Sequence, residues 1–299
     1  MTKVATQSRR IGFSVSGIKR YETDFYRNHP RSFSALSVTG SRCALCCAHC
    51  GGNLLRSMSD AGTAEKFISC IDKLKDAGCS GVLVSGGCDG GGSVPLSPHM
   101  EGIAYAKSSG MKVVAHTGLL SRETALALKS VNVDQVLMDV IGSAETISGV
   151  YGLNKTPDDF YQSIMIGKEA GLDVAPHLVV GLDYGRVLGE YAAIDIVSRA
   201  EAGKFVLVVL APKRGTKMQG ISSPPLSDVT GVFRYAANTL SNTQITLGCS
   251  RPFDYTAELE KTAVDLGFAA ISYPCAETHD YAKDMGLEVF FFEQCCSLV

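Results

Sequence analysis

The chain has 299 residues, 45% of them hydrophobic and 19% charged, with a formal net charge of −2. That is enough apolar material for a large packed core, which excludes a disordered chain, and cations scattered along the sequence exclude a basic stripe for nucleic acid. No apolar run approaches the ~20 residues of a membrane span. The basic amino terminus "MTKVATQSRRIGFSVSGIKRY" lacks the apolar stretch of a secretory signal, so a cytoplasmic protein is expected.

Taken in chain order, the first expected strand is "FSALSVT" (33–39), followed at once by "RCALCCAHCG" (42–51), which holds four of the 11 cysteines. A helix is expected over 63–78, where Phe67, Ile71 and Leu74 share a face. Then come "GVLVS" (81–85) running into "SGGCDGGG", "KVVAH" (112–116), and a helix "SRETALALKSV" with Ser121 at its N-cap. The remaining strands are "QVLMDV" (135–140), "DVAPHLVV" (173–180), "FVLVVL" (205–210), "QITLG" (244–248) and "AAISY" (269–273). Helices end in Gly shortly before the next strand in "KDAGCSGV", "KSSGMKV", "KEAGLDV" and "VDLGFAA". Eight strands alternating with helices over about 250 residues fit a (β/α)8 TIM-type barrel. The alternative is an open doubly wound sheet, although GxGxxG and GxxxxGK[ST] are both missing. The barrel is expected over 33–275, with extensions at 1–32 and 276–299.

In such a barrel, chemistry gathers at the C-terminal ends of the strands. Those ends carry the cysteine cluster, "SGGCDGGG", His116 with Thr117, Asp139, His177, "APKRGT", "GCSRP" and "YPC". The cysteines pose the main question. Two abutting CxxC pairs, Cys43/Cys46 and Cys47/Cys50, leave no room for the two converging knuckles of a structural zinc site. Disulfides fit neither a reducing compartment nor so short a loop. The registration Cys43-x3-Cys47-x2-Cys50, with Cys46 left over, suits three irons of a [4Fe–4S] cube whose fourth iron stays open.

"CALCCAHC" resembles the CxxxCxxC signature of the radical S-adenosylmethionine (SAM) enzymes, and the likeness extends over roughly 33–275. The resemblance implies that Cys43, Cys47 and Cys50 ligate the cluster and that SAM chelates its open iron. Reductive cleavage would then give a 5′-deoxyadenosyl radical that takes a hydrogen atom from substrate. It also implies cofactor contacts at Ser85, Gly86 and Gly87, at Asp139, and at Gly181 and Glu190 of "VVGLDYGRVLGE". His116 and His177 are candidate substrate contacts, pointing inward or outward according to a one-residue register.

"ITLGCSRP" (245–252) resembles strand seven of biotin synthases, in which an Arg ligates an auxiliary iron–sulfur cluster. Arg251 holds that place, as auxiliary ligand or substrate contact, and Cys88, Cys249, Cys275 and the tail pair Cys295/Cys296 are the candidate auxiliary ligands. The wider pattern resembles biotin synthase-related proteins, among them subunits of two-protein lipoyl synthases. That branch implies sulfur insertion into an octanoyl chain on a lipoyl carrier protein, a sister radical SAM subunit, and a flavodoxin- or ferredoxin-type electron donor. A rearrangement, a methylation or a cofactor-maturation lyase is the alternative within the class; a zinc or electron-transfer barrel is the alternative outside it. Cys70 and Cys79 read as packing groups, and His29 and His99 as surface or turn residues.

Overall fold

A computed structural model describes residues 10–299. All eight expected strands are present as β2 (Phe33–Ser37), β4 (Gly81–Ser85), β5 (Lys112–His116), β6 (Gln135–Asp139), β7 (Val174–Val180), β8 (Lys204–Val209), β9 (Gln244–Leu247) and β10 (Ala270–Ser272). Three more join them: β1 (Arg10–Ser14), β3 (Ser59–Asp60) and β11 (Glu288–Phe292). The eight-strand count is thereby corrected to eleven. The sheet is wholly parallel, in the order β11-β1-β10-β9-β8-β7-β6-β5-β4-β2-β3. Among the described residues no ladder joins β3 to β11, so the sheet is an open half-barrel rather than a closed one. The short β3 is the reason: its two residues reach only Leu36 and Ser37 of β2.

Near-continuous Val, Ile and Leu runs form these strands because helices cover one face and side chains fill the other. Val82, Val84, Val113, Ala115, Val136 and Met138 pack outward against the helices. Phe33, Val114, Leu137 and Ala175, with Leu83 against them, make a second cluster on the inner face. Helix Ala64–Asp76 buries Phe67, Ile71 and Leu74 on one side, as its spacing dictates, and Thr63 caps it by accepting from Lys66 N. Ser121 does the same for helix Arg122–Ser130. The helix-ending glycines Gly78, Gly110, Gly171 and Gly267 all lie at φ between 72° and 83°, the left-handed turn that ends a helix without a Cβ penalty.

The carboxyl terminus enters the barrel. After β11, Ser14 Oγ donates to Gln294 O at 2.8 Å, and a short turn, Cys296–Leu298, follows. Gln135 Nε2 donates to Ser297 O at 3.0 Å, and Leu298 packs against the inner cluster. Gly12 leaves room for this arrangement: a Cβ there would lie 2.8 Å from the Phe292 ring and 3.2 Å from Val299. The segments expected as extensions thus supply two strands and part of the interior. Among the described residues no helix is long and apolar enough to cross a membrane.

Candidate active site

Strand alternation fixes the site before any contact is considered. Leu83, Val114, Leu137 and Ala175 face inward, so residues two further along each strand do too. These are Ser85, His116 and Asp139, at the C-terminal ends of β4 to β6, and His177 at the middle of β7. The register agrees: His116 pairs with Leu137, and Asp139 with His177. The two histidines therefore meet inside the barrel, with ring centroids 6.0 Å apart in an edge arrangement.

Asp139 is the hub of the inner cluster. His116 Nε2 lies 3.7 Å from its Oδ1, and Tyr151 donates to its Oδ2 at 3.1 Å. Burial would raise the Asp139 carboxyl, but His116 and then His177 outweigh it and hold it at about 2. Burial, aided by His116, pushes His177 down to about 4. Tyr151 arrives on a π-helical turn, Ile147–Tyr151, between the Ser143 cap and the left-handed Gly152. No periodicity in the sequence marks that turn.

His177 is neutral in the fold and protonates more readily when unfolded, so acid favours unfolding. The stability it contributes is complete above its ordinary value of 6.5 and is lost as pH falls towards 4. Urea-unfolding midpoints should therefore drop over that interval, and His177→Gln should flatten the slope there.

The cysteine loop sits beside this cluster. Ala44 N donates to Cys88 O at 2.8 Å and Ala48 N to Val150 O at 2.8 Å, so the loop is tied to the ends of β4 and to the Tyr151 turn. Cys47 is buried, while Cys43 and Cys50 are half-buried. A hydrogen bond from the Cys47 thiol brings Cys50 down to about 4 against its burial, and raises Cys47 in turn. Cys46 is exposed at φ 43°, its thiol donating to Cys43 O at 3.2 Å. Cys47 and Cys50 thus interact directly and Cys43 acts on Cys47, while the Cys46 thiol bonds to Cys43 O at the surface.

Two further observations test whether a cluster fits. His49 Nδ1 is buried without a hydrogen-bond partner, and its ring lies 5.4 Å from that of Tyr151. Gly87 is pressed against the loop: a Cβ there would lie 2.0 Å from Arg42 O and 2.5 Å from Cys43 Cβ. Gly87 N donates to Thr39 Oγ1 at 2.7 Å, and Thr39 in turn donates to Arg42 O, locking the loop to the end of β4. Among the described residues no three His, Cys, Asp or Glu side chains converge as ligands of a single metal ion would. The donor set suits a polynuclear cluster, whose thiolates are spread over separate irons. Gly87→Ala should displace the Cys43 backbone and cut the iron retained after anaerobic reconstitution by at least half, with thermal stability of the apo-protein lowered by about 1–3 kcal/mol.

The other expected site residues scatter. Glu190 is 4% exposed and engaged with backbone: Oε1 accepts from Gly181 N at 2.7 Å, and Oε2 from Leu188 N and Gly189 N at 2.8 and 2.9 Å. It shapes the loop after β7. Ser85 Oγ donates to His116 O at 3.3 Å, and Gly86 packs against Val38 and Thr39.

Arg251, expected as an auxiliary ligand or substrate contact, is engaged with its own protein. Its guanidinium is paired with Glu260 and donates to Gly248 O, Ser272 O and Tyr273 O at 2.9, 2.7 and 2.9 Å. Glu260 is fully buried, so its charge requires the cation, and Arg251 is not a free ligand facing the cavity. Cys275 lies on the same side: its N–H donates to Glu260 Oε2 at 2.9 Å, its thiol meets Thr278 Oγ1 at 3.1 Å, and burial pushes that thiol up to about 11. Cys88, which burial and then Cys43 raise to about 12, belongs with the cysteine loop. Cys88, Cys249 and Cys275 are therefore not brought together. Cys295 and Cys296 are free thiols in the C-terminal turn, half-buried and buried, with Ser297 Oγ donating to Cys295 Sγ at 3.2 Å. Cys296 holds Cys295 down to about 6.

The fold is shared with several solved enzymes. A [FeFe]-hydrogenase maturase, HydG from Carboxydothermus hydrogenoformans, superimposes with a TM-score of 0.61 at 15% identity, over 94% of this chain and 68% of that one. Methylornithine synthase (PylB) gives 0.58 at 12%, over 86% and 83%. Streptococcus suis SuiB, solved bound to S-adenosylmethionine, gives 0.57 at 14%, over 80% and 57%. At such identities the likeness is one of fold. No protein-family profile and no curated protein sequence matches the chain.

Proposed function

We propose that the chain is a radical SAM enzyme. The observation that carries this reading is the state of "CALCCAHC" after β2: Cys47 paired with Cys50 and within reach of Cys43's charge, Cys46 exposed, and the loop clamped against Gly87. Three thiolates would hold a [4Fe–4S] cluster that, when bound, supplies one electron to cleave SAM at an open iron. The residues around it have separate tasks. The glycine turn 85–87 brings backbone N–H and C=O groups next to the cysteine loop, where an amino acid moiety binds without side-chain interference. Asp139, kept ionised chiefly by His116, can accept hydrogen bonds from sugar hydroxyls. Glu190 holds the loop after β7 from behind. The inner cluster of Phe33, Val114, Leu137, Ala175 and Leu298 closes the floor and excludes water from the space above.

Within this class, the favoured reaction is sulfur insertion into a protein-bound octanoyl chain. Its support is the sequence resemblance of residues 245–252 and the presence of further thiols in the barrel. A second cluster would draw on Cys249, Cys295 and Cys296, because Arg251 and Cys275 are committed to Glu260. A lipoyl carrier protein and a sister radical SAM subunit would be the partners. Reconstituted protein given SAM and a reductant should release methionine and 5′-deoxyadenosine; absence of cleavage by cluster-loaded protein overturns the class. With an octanoyl-lysyl peptide, a mass gain of one sulfur supports insertion, and an unchanged peptide favours another radical reaction.

A further inference from the structure

The chain carries a net charge of −2, yet two of its segments contain no carboxylate at all: residues 25–59 and residues 202–227. The first contains the cysteine loop and Arg27, Arg31, Arg42 and Arg56; the second contains Lys204, Lys213, Arg214 and Lys217. Far apart in sequence, they touch in the fold. A Cβ on Gly51 would lie 3.8 Å from Gly215 O, and one on Gly215 would lie 3.6 Å from Asn53 Nδ2. Asn53 N donates to Cys50 O at 2.8 Å, so this junction begins one turn from a proposed cluster ligand.

Arg56, Lys213, Arg214 and Lys217 are all exposed, and among the described residues none forms an ion pair. Arg42, beside the cysteine loop, is likewise exposed and unpaired, whereas Arg20 pairs with Glu22, Lys66 with Asp60 and Arg186 with Asp183. Residues 1–9 contain no acid that could neutralise the four. Leu54, 46% exposed, lies between Asn53 and Arg56 and adds an apolar contact. Unpaired cations around an exposed apolar residue form a surface suited to an anionic protein.

We infer that this face, where the cysteine loop meets the loop after β8, is the docking surface for an acidic one-electron carrier protein. The inference rests on the radical SAM reading and adds to it the place where the electron enters. Tunnelling falls steeply with distance, so a carrier must dock close to the cluster, and this face begins at exposed Gly51, next to the half-buried proposed ligand Cys50. In the transfer, one electron leaves the carrier's reduced flavin or iron–sulfur centre and reduces the cluster; no proton moves and no bond forms. A substrate carrier protein or a nucleic acid on the same patch would act without regard to the reductant.

The test compares two reductants on reconstituted holoenzyme and on its R56E/K217E variant. With reduced flavodoxin at low salt, the rate of cluster reduction should fall at least about tenfold in the variant, and the wild-type rate should fall as salt rises while the variant's changes little. With a photoreduced 5-deazaflavin, which is small and needs no docking surface, both proteins should be reduced within about twofold of one another. R56Q/K217Q, which removes charge without reversing it, should give an intermediate flavodoxin rate. Equal flavodoxin rates in all three proteins overturn the proposal, as does an equal loss with both reductants. Wild-type protein that holds no cluster would instead refute the radical SAM reading.

Discussion

Replacing Cys43, Cys47 or Cys50 by Ser, one at a time, should lower the iron retained after anaerobic reconstitution by about four per chain and abolish SAM cleavage. Cys46→Ser should leave both within about twofold, since its thiol bonds to Cys43 O at the surface. The contrast is sharp because Cys46 and Cys47 are neighbours. A zinc clip built from two CxxC pairs needs all four thiols, so Cys46→Ser would then cost as much as the others. Cysteines that merely pack would show no iron in any variant. Iron content and 5′-deoxyadenosine release measured on the four variants separate these cases.

Arg251→Ala should destabilise the protein by about 3–5 kcal/mol, because it leaves Glu260 buried without a counter-charge. The loss extends beyond one ion pair. Arg251 also holds the carbonyls of Gly248, Ser272 and Tyr273, tying the end of β9 to the end of β10, and Glu260 in turn holds the start of the helix at Cys275 and Thr278. Replacing both charges with Met should recover part of the loss, since no buried charge then remains unpaired. Urea unfolding of the apo-proteins measures this. If Arg251 were instead an auxiliary-cluster ligand, Arg251→Ala would change iron content and leave apo stability nearly intact.

These expectations show which parts of the molecule the sequence discloses. The eight inner strands are legible because each is a short apolar run bounded by glycine or polar turns. Strand β1 is not, because "RIGFS" sits in a basic segment and is broken by Gly12, whose smallness serves Phe290, Phe292 and Val299 from the other end of the chain. Strand β11, "EVFFF", lies beyond the eighth strand of the expected pattern and pairs with β1, so neither can be placed without the other.

The site divides in the same way. The cysteine loop is a local motif and reads directly. His116 and His177 depend on a register set by Leu137 and Val206 on neighbouring strands, so their inward direction emerges only with the sheet. Arg251 was expected as an auxiliary ligand or substrate contact, but it lies beyond β9, which ends at Leu247, where strand alternation no longer aims the side chain. Past that point Glu260, nine residues on, decides where the guanidinium goes. Tyr151 is set by a π-turn that no pattern announces. The cationic face escapes a reading of charge as scattered; its signal is two stretches without acids, which mean nothing until Gly51 and Gly215 are seen to touch.

The most direct measurement is the electron paramagnetic resonance spectrum of the reduced, anaerobically reconstituted protein before and after SAM is added. A cluster held by Cys43, Cys47 and Cys50 alone has a free iron for the nucleotide, so SAM should shift the signal, and the shift should vanish when any of the three is changed. A reduced cluster whose spectrum is indifferent to SAM would mean that its fourth iron is already capped, and the assignment of this chain to radical chemistry would fail.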